Sequence, residues 1–187
     1  MASICVFCGS SSGADPIYAT AATALGGILA RRNDTLVYGG GSTGMMGAIA
    51  DEMLRREAEV IGVIPEALAN VELMHTGVSD MRIVPNMHLR KATMHELSDG
   101  YIALPGGLGT MEELFEVLCW AQLKFHAAPI AVLNPGGYYD GLITLIDNMI
   151  SKQFLDSVYR ELLTTVASVE ELETWLAEHF VTARELT

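Results

Sequence analysis

The chain has 187 residues, half of them hydrophobic, and a mean hydropathy of +0.31; that length carries one sizeable core and is marginal for two. Eleven Lys and Arg stand against 23 Asp and Glu, a net charge of −12, which argues against general binding to nucleic acid or anionic membranes because such partners need a basic footprint. No stretch approaches the ~20 apolar residues of a membrane span, the start MASICVFCGSSSG lacks the basic run of a signal peptide, and three cysteines make no disulfide framework, so a cytoplasmic protein is expected.

Taken in chain order, SICVFCG (3–9) reads as a buried strand. Its Cys5 and Cys8 form a C-x-x-C, but residues three apart on a strand face opposite sides of a sheet, and no second pair completes a zinc site. A helical pattern over 16–32 leads to a second strand, TLVYGG (35–40), and another helix over 43–57 leads to EVIGVIP (59–65). MRIVP (81–85) follows, then a helix over 87–98, the strand GYIALPG (100–106) and a helix over 110–126. PIAVLN (129–134) and a helix over 139–152 complete the alternation, and VEELETWLAEHF closes it as an amphipathic helix whose Ser168 and Glu171 have capping-box spacing. Continuous apolar strands separated by helices predict a parallel sheet covered on both faces. The expected fold is therefore one doubly wound, Rossmann-like α/β domain spanning 1–187.

In such sheets ligands bind beyond the carboxyl ends of the strands, at a switch in strand order. The clusters CGSSSG (8–13), YGGGSTGMMG (38–47), VPNMHLRK (84–91), LPGGLGT (104–110) and NPGGYYD (134–140) all fall there and should share one rim. Gly39, Gly41 and Gly44 satisfy G-x-G-x-x-G, yet they follow the second strand and not the first, with Glu66 only loosely at the distance of a ribose-binding acid. This counts against NAD or FAD; a tight turn alone would explain the glycines, but a loop whose N–H groups line part of a nucleotide site is the better reading. PGGLGT is the stronger anion signal: Gly106, Gly107 and Gly109 allow a sharp turn, Thr110 can cap the next helix, and the first-turn N–H groups would face a phosphate. It lacks the lysine of a Walker loop. In NMHLRK, Asn86 is a good N-cap, which puts Arg90 and Lys91 near a helix start where cations oppose the dipole by ~0.3–1 kcal/mol each. The simplest reason to accept that cost is an anionic or electron-rich ligand; two solvated surface cations are the alternative. His88 and His95 lie two turns apart, too far to share a metal ion, and no metal is expected.

Glu112 and Glu116 are four apart on one helix face, where charge near the helix N-terminus is enough to explain them. Glu113 lies three residues after Thr110, on the face leading to the glycine turn. A carboxylate one turn below a phosphate seat is poorly placed to hold phosphate and well placed to reach a ribose. There it could orient water or stabilise positive charge at C1′, as carboxylates do in glycoside hydrolysis. Arginine cannot be an ordinary general acid but can donate hydrogen bonds. Leu114, Phe115, Val117, Leu118, Trp120, Ala121 and Leu123 run almost all round the same helix, so a homodimer or the C-terminal helices should cover its outer side.

PGGLGTMEE (105–113) and MHLRK (87–91) resemble the paired motifs of the LONELY GUY family of cytokinin-activating phosphoribohydrolases, often mislabelled lysine decarboxylases, and the likeness extends over about residues 3–155. The resemblance implies a dimeric enzyme that hydrolyses an N6-modified adenosine 5′-monophosphate, or AMP itself, to free base and ribose 5-phosphate, without metal or organic cofactor. It implies Arg90 and Glu113 as the catalytic pair. As substrate contacts it implies Glu72, Lys91, Gly107, Leu108, Gly109, Thr110, Met111 and Glu112; Gly41 is added from the reading of the earlier glycine loop as part of a nucleotide site. Leu89 stands where many members carry Glu or Gln. An AMP nucleosidase-type enzyme, a non-catalytic nucleotide sensor and a dinucleotide-dependent oxidoreductase are the alternatives.

Overall fold

A computed structural model describes residues 1–69 and 74–180. In chain order it contains β1 (Ser3–Phe7), α1 (Pro16–Arg32), β2 (Thr35–Tyr38), α2 (Gly44–Arg55), β3 (Val60–Pro65), the single turn α3 (Glu66–Ala69), β4 (Asp80–Val84) and α4 (Met87–Glu96). Then come β5 (Gly100–Ala103), α5 (Leu108–Gln122), β6 (Ile130–Leu133), α6 (Asp140–Ser151), β7 (Thr164–Val166) and α7 (Val169–His179). The strands form one sheet in the order β4-β3-β2-β1-β5-β6-β7 with every pairing parallel. The doubly wound fold and its six expected strands are present. The seventh, β7, is three residues long, too short to carry an apolar pattern of its own.

Side-chain alternation along β1 divides the core into two layers. Ile4, Val6 and Cys8 pack with α1, α2 and α7, through residues such as Leu25, Ile49 and Leu172. Cys5 and Phe7 face the other way, onto α4, α5 and α6, through Met94, Leu114 and Ile146. The C-x-x-C cysteines thus lie on opposite faces, both buried and unlinked. β2, β3, β5 and β6 are buried along their whole length, as a sheet covered on both sides requires.

The strand order reverses between β1 and β5, which are hydrogen-bonded neighbours. Their connections leave in opposite directions and open a crevice at the carboxyl edge. Helix caps place the flanking elements: Asn86 Oδ1 accepts from Leu89 N (3.0 Å) at α4, and Ser168 Oγ accepts from Glu171 N (3.3 Å) at α7. The return arm of the expected α7 capping box reaches one residue further back, Glu171 accepting from Ala167 N (2.8 Å). At α2 the loop after β1 supplies the cap: Gly9 O accepts from Met45 N (3.1 Å) and Met46 N (3.3 Å).

That closure depends on Gly44, whose φ is +62° and whose added Cβ would lie 2.3 Å from the Ser10 carbonyl carbon. Gly44→Ala should therefore cost about 2 kcal/mol or more, combining left-handed strain with a backbone clash. Urea unfolding should show a lower midpoint with an unchanged slope.

Candidate active site

The crevice at the β1/β5 switch is a cleft of ≈ 280 Å³. Its walls come from the ends of β1 (Cys8, Gly9, Ser10) and β2 (Gly39), from α4 (Met87, Arg90), and from the PGGLGT turn with the start of α5. Four of the five expected loop clusters thus meet there. The fifth, NPGGYYD, buttresses the turn from outside: Tyr138 Oη donates to Gly106 O, and Tyr139 Oη donates to Leu104 O (2.6 Å). A wider groove of ≈ 590 Å³ runs between α1, α2 and α7. Its two arginines are neutralised by neighbours, Arg31 by Glu173 and Arg56 by Glu52, and no glycine turn or strand end opens into it. Convergent chemistry, not size, singles out the smaller cleft.

Arg90 is the cation of this cleft, and it is 8% exposed. Its guanidinium spans the edge of the sheet: Nε donates to Val63 O in β3 (3.1 Å), and Nη2 donates to Gly39 O after β2 (3.2 Å). A Cβ at residue 39 would lie 2.1 Å from Nη2, so glycine is what admits the guanidinium there. The remaining nitrogen, Nη1, faces Glu113 Oε1 at 3.8 Å, too long for a hydrogen bond.

Glu113 also is 8% exposed. Burial lifts its carboxyl above the ordinary carboxylate range, the Arg90 charge pulls it back in part, and the balance leaves it at about 7. The Cys8 thiol beside it is pushed upward by burial first and by the Glu113 charge second, so it stays protonated.

The two glycine loops serve differently. Every helix start leaves N–H groups without intrahelical acceptors. At α2 the Gly9 carbonyl takes two of them, and Gly41 is paired with Met74 in an antiparallel bridge, away from the cleft lining. At α5 the N-cap is Gly107, and no side chain caps it. Thr110 is not the cap expected from the sequence, because the helix begins two residues before it; it sits in the first turn, 4% exposed. The amide-rich start of α5, at Leu108, Gly109 and Thr110, lines the cleft and is a ready seat for an anion.

Of the other expected contacts, Glu112 and Leu108 line the cleft, Leu108 with 90% of its surface exposed. Met111 packs toward the core beneath α5. Lys91 is not in the lining: its ammonium forms ion pairs with Glu112 and Glu116. Burial alone would depress that ammonium, but hydrogen bonds and charge from the two carboxylates carry it above its ordinary value. Leu89 is exposed on α4, outside the lining. Glu72 lies outside the described residues. Gly39, from the earlier glycine loop, lines the cleft as expected; Ser10 and Met87 line it too, each from a cluster expected at the rim.

A protein-family profile described as "Possible lysine decarboxylase" matches residues 46–176. The cytokinin riboside 5′-monophosphate phosphoribohydrolase LOG7 of Arabidopsis thaliana is 43% identical over 184 residues, 98% of this chain and 85% of that protein. LOG3 of the same plant, with the same description, is 46% identical over 176 residues, 94% of this chain and 82% of its own. A probable enzyme of this description, LOGL1 of Oryza sativa subsp. japonica, is 46% identical over 169 residues, covering 90% and 76%. Among solved structures, the Moco carrier protein from Chlamydomonas reinhardtii matches with a TM-score of 0.73 at 18% identity, covering 95% of this chain and 96% of that one. The molybdenum cofactor binding protein from Rippkaea orientalis matches at 0.69 and 21%, again covering 95% and 96%. At such identities the likeness is one of fold.

A carboxyl raised to about 7 by burial has a definite consequence for stability. Its favourable contribution is complete below the ordinary carboxylate pKa and is lost as pH rises through about 7. Glu113→Gln removes the buried charge, so the variant should be more stable than the parent near pH 8, by about 2 kcal/mol. The gap should close toward pH 4.5, and paired thermal melts at the two pH values read it directly.

Proposed function

The chain belongs to the LONELY GUY family, and from that premise we propose that it hydrolyses the N-glycosidic bond of a cytokinin riboside 5′-monophosphate, releasing the free base and ribose 5-phosphate. The observation that carries the reading is the buried Glu113 one helical turn along α5 from its uncapped start, with Arg90 Nη1 opposite at 3.8 Å. A 5′-phosphate seated on the amides of residues 108–110 brings the ribose to Glu113. The carboxylate then orients water toward C1′ and stabilises the positive charge that grows there as the C1′–N bond breaks. The bonding electrons leave with the base, which takes up a proton from solvent, while Glu113 accepts the proton of the attacking water and returns it to solvent. Arg90, fixed by two backbone carbonyls and by Nη1 donating to Met87 Sδ (3.8 Å), presents its guanidinium to the same space without needing to move.

The mouth of the cleft supports a base with an apolar substituent. Met87 and Leu108 flank it with 40% and 90% of their surfaces exposed, although the pocket behind them is polar. AMP would use the same phosphate and ribose contacts without this flank. A homodimer would cover the outer side of α5 and the segment after it, where Leu123 and Phe125 are 56% and 72% exposed. A cytoplasmic location fits a chain whose described helices are all too short or too polar to cross a membrane.

The decarboxylase description fits these residues poorly. A lysine that binds pyridoxal phosphate must reach the cleft and lose its proton. No lysine lines this cleft, and Lys91 is held as an ammonium by two carboxylates.

Glu113→Gln should lower base release by at least ~10³-fold while leaving nucleotide affinity within about threefold. Chromatography of AMP and isopentenyl-AMP incubations, with calorimetry of the variant, measures both; undiminished turnover in the variant refutes the assigned role. For the parent protein, kcat/KM should rise with pH through about 7 as the carboxylate forms.

A further inference from the structure

We infer that Tyr138 is a positioning residue: its hydroxyl holds the Gly106–Gly107 peptide with the N–H toward the cleft, and so sets how tightly the start of α5 holds a phosphate. This rests on the proposed hydrolase reading of the site. A trans peptide plane points its C=O and N–H in opposite directions, so whatever holds the carbonyl of one residue aims the N–H of the next. Four successive carbonyls of the PGGLGT turn are held. Tyr139 Oη donates to Leu104 O (2.6 Å), Gly9 N to Pro105 O (3.1 Å), Tyr138 Oη to Gly106 O, and Met111 N to Gly107 O (3.1 Å). These bonds do different things. Leu104 precedes a proline, which has no N–H to aim. Pro105 O is held by backbone, and Gly107 O belongs to the first turn of α5. Gly106 O is the carbonyl of this turn that is held by a side chain and followed by an N–H. Tyr138 stands outside the cleft lining, 41% exposed, so a carbonyl turned toward it leaves the Gly107 N–H facing inward. Gly107 lines the cleft, and among the described residues nothing accepts from that N–H.

A glycine pair needs such a hold. Neither residue has a Cβ, so the peptide between them can turn over without the steric barrier that other residues impose, and a Cβ at Gly107 would meet nothing within 4 Å. Turned over, the plane would present the Gly106 oxygen to the cleft, and a phosphate would meet an acceptor where it had a donor. Tyr138 is itself fixed from outside the cleft. Its ring lies edge-on to Tyr18, with centroids 5.8 Å apart, and to Tyr139, at 5.1 Å. Asn134 braces the loop that carries it, Oδ1 accepting from Tyr139 N (2.5 Å) and Nδ2 donating to Asp140 Oδ1 (2.8 Å). Removing the Tyr138 hydroxyl keeps these ring contacts and opens no core.

The test compares Tyr138→Phe with the parent protein in base release from AMP, and in ribose 5-phosphate binding followed by NMR on ¹⁵N-glycine-labelled protein. For Tyr138→Phe we expect KM and the ribose 5-phosphate Kd to rise together by about tenfold, with kcat changed less than about threefold. Inhibition by adenine, which carries no phosphate, should change less than about twofold. At matched saturation with ribose 5-phosphate, the Gly107 amide resonance should move in the parent and much less in the variant. Tyr139→Phe, which frees a carbonyl with no N–H behind it, is the comparison: its melting temperature should fall more than that of Tyr138→Phe, and its ribose 5-phosphate Kd should rise less. An unchanged Kd in Tyr138→Phe, or a Gly107 amide that responds as in the parent, would overturn the inference. The reverse order of the two variants would also overturn it, leaving both tyrosines as packing. If the parent binds ribose 5-phosphate but releases no base, the hydrolase reading fails, and the Kd and the amide shift still decide the role of Tyr138. A parent that binds no ribose 5-phosphate removes the anion seat and the inference with it.

Discussion

A guanidinium and a carboxylate face each other across the cleft, both nearly out of water and 3.8 Å apart. Withdrawing two charges from solvent is costly, and close hydrogen-bonded contact is the usual compensation. Here the arginine spends its hydrogen bonds on the carbonyls of Val63 and Gly39. The glutamate is left with a long-range partner and a carboxyl that holds its proton to about pH 7. A fold selected for stability alone would close that gap or replace the pair with apolar groups. Side by side in the cleft lining, a fixed cation and a carboxylate make the surroundings in which a developing cationic centre and a departing base are both stabilised.

Backbone geometry supplies what the charges cannot. The strand order reverses between β1 and β5, so the loops after them separate, and the start of α5 opens into the gap. The α2 start lies close by, yet the Gly9 carbonyl occupies its amides. Two glycine-rich turns of similar appearance thus divide the work. The first closes a helix onto the neighbouring loop and clears room for Arg90 at Gly39; the second leaves amides free for a ligand. Tyr138 and Tyr139, bonded to the carbonyls of Gly106 and Leu104, hold the second turn from behind.

Much of this was legible from residue patterns, and the failures have definite causes. The apolar strands between amphipathic helices identify the sheet, because burial on both faces leaves continuous hydrophobic runs. β7 escapes because three residues cannot show a period. The rim of converging loops follows from the fold, since parallel strands all end on one edge. Rotation about a helix is where reading from spacing stops. Arg90 and Lys91 are adjacent and look like one basic pair, yet a quarter-turn sends the first to the cleft and the second to Glu112 and Glu116. Those two glutamates looked like helix-dipole partners for the same reason: the facing lysine lies 21 and 25 positions away in sequence. Thr110 reads as a cap until the helix is seen to begin at Leu108, where no side chain is available to signal it.

The overall charge of −12 bears on how such a site can recognise an anion. The protein's field repels a nucleotide at distance, and the lysine nearest the cleft is already neutralised, so long-range attraction contributes little. Recognition has to come from short-range, directional donors: the α5 amides and the free side of Arg90. Such donors act only within about 3 Å and only along their own axes, so they respond to where a phosphate sits relative to a ribose more than to how much charge the ligand carries.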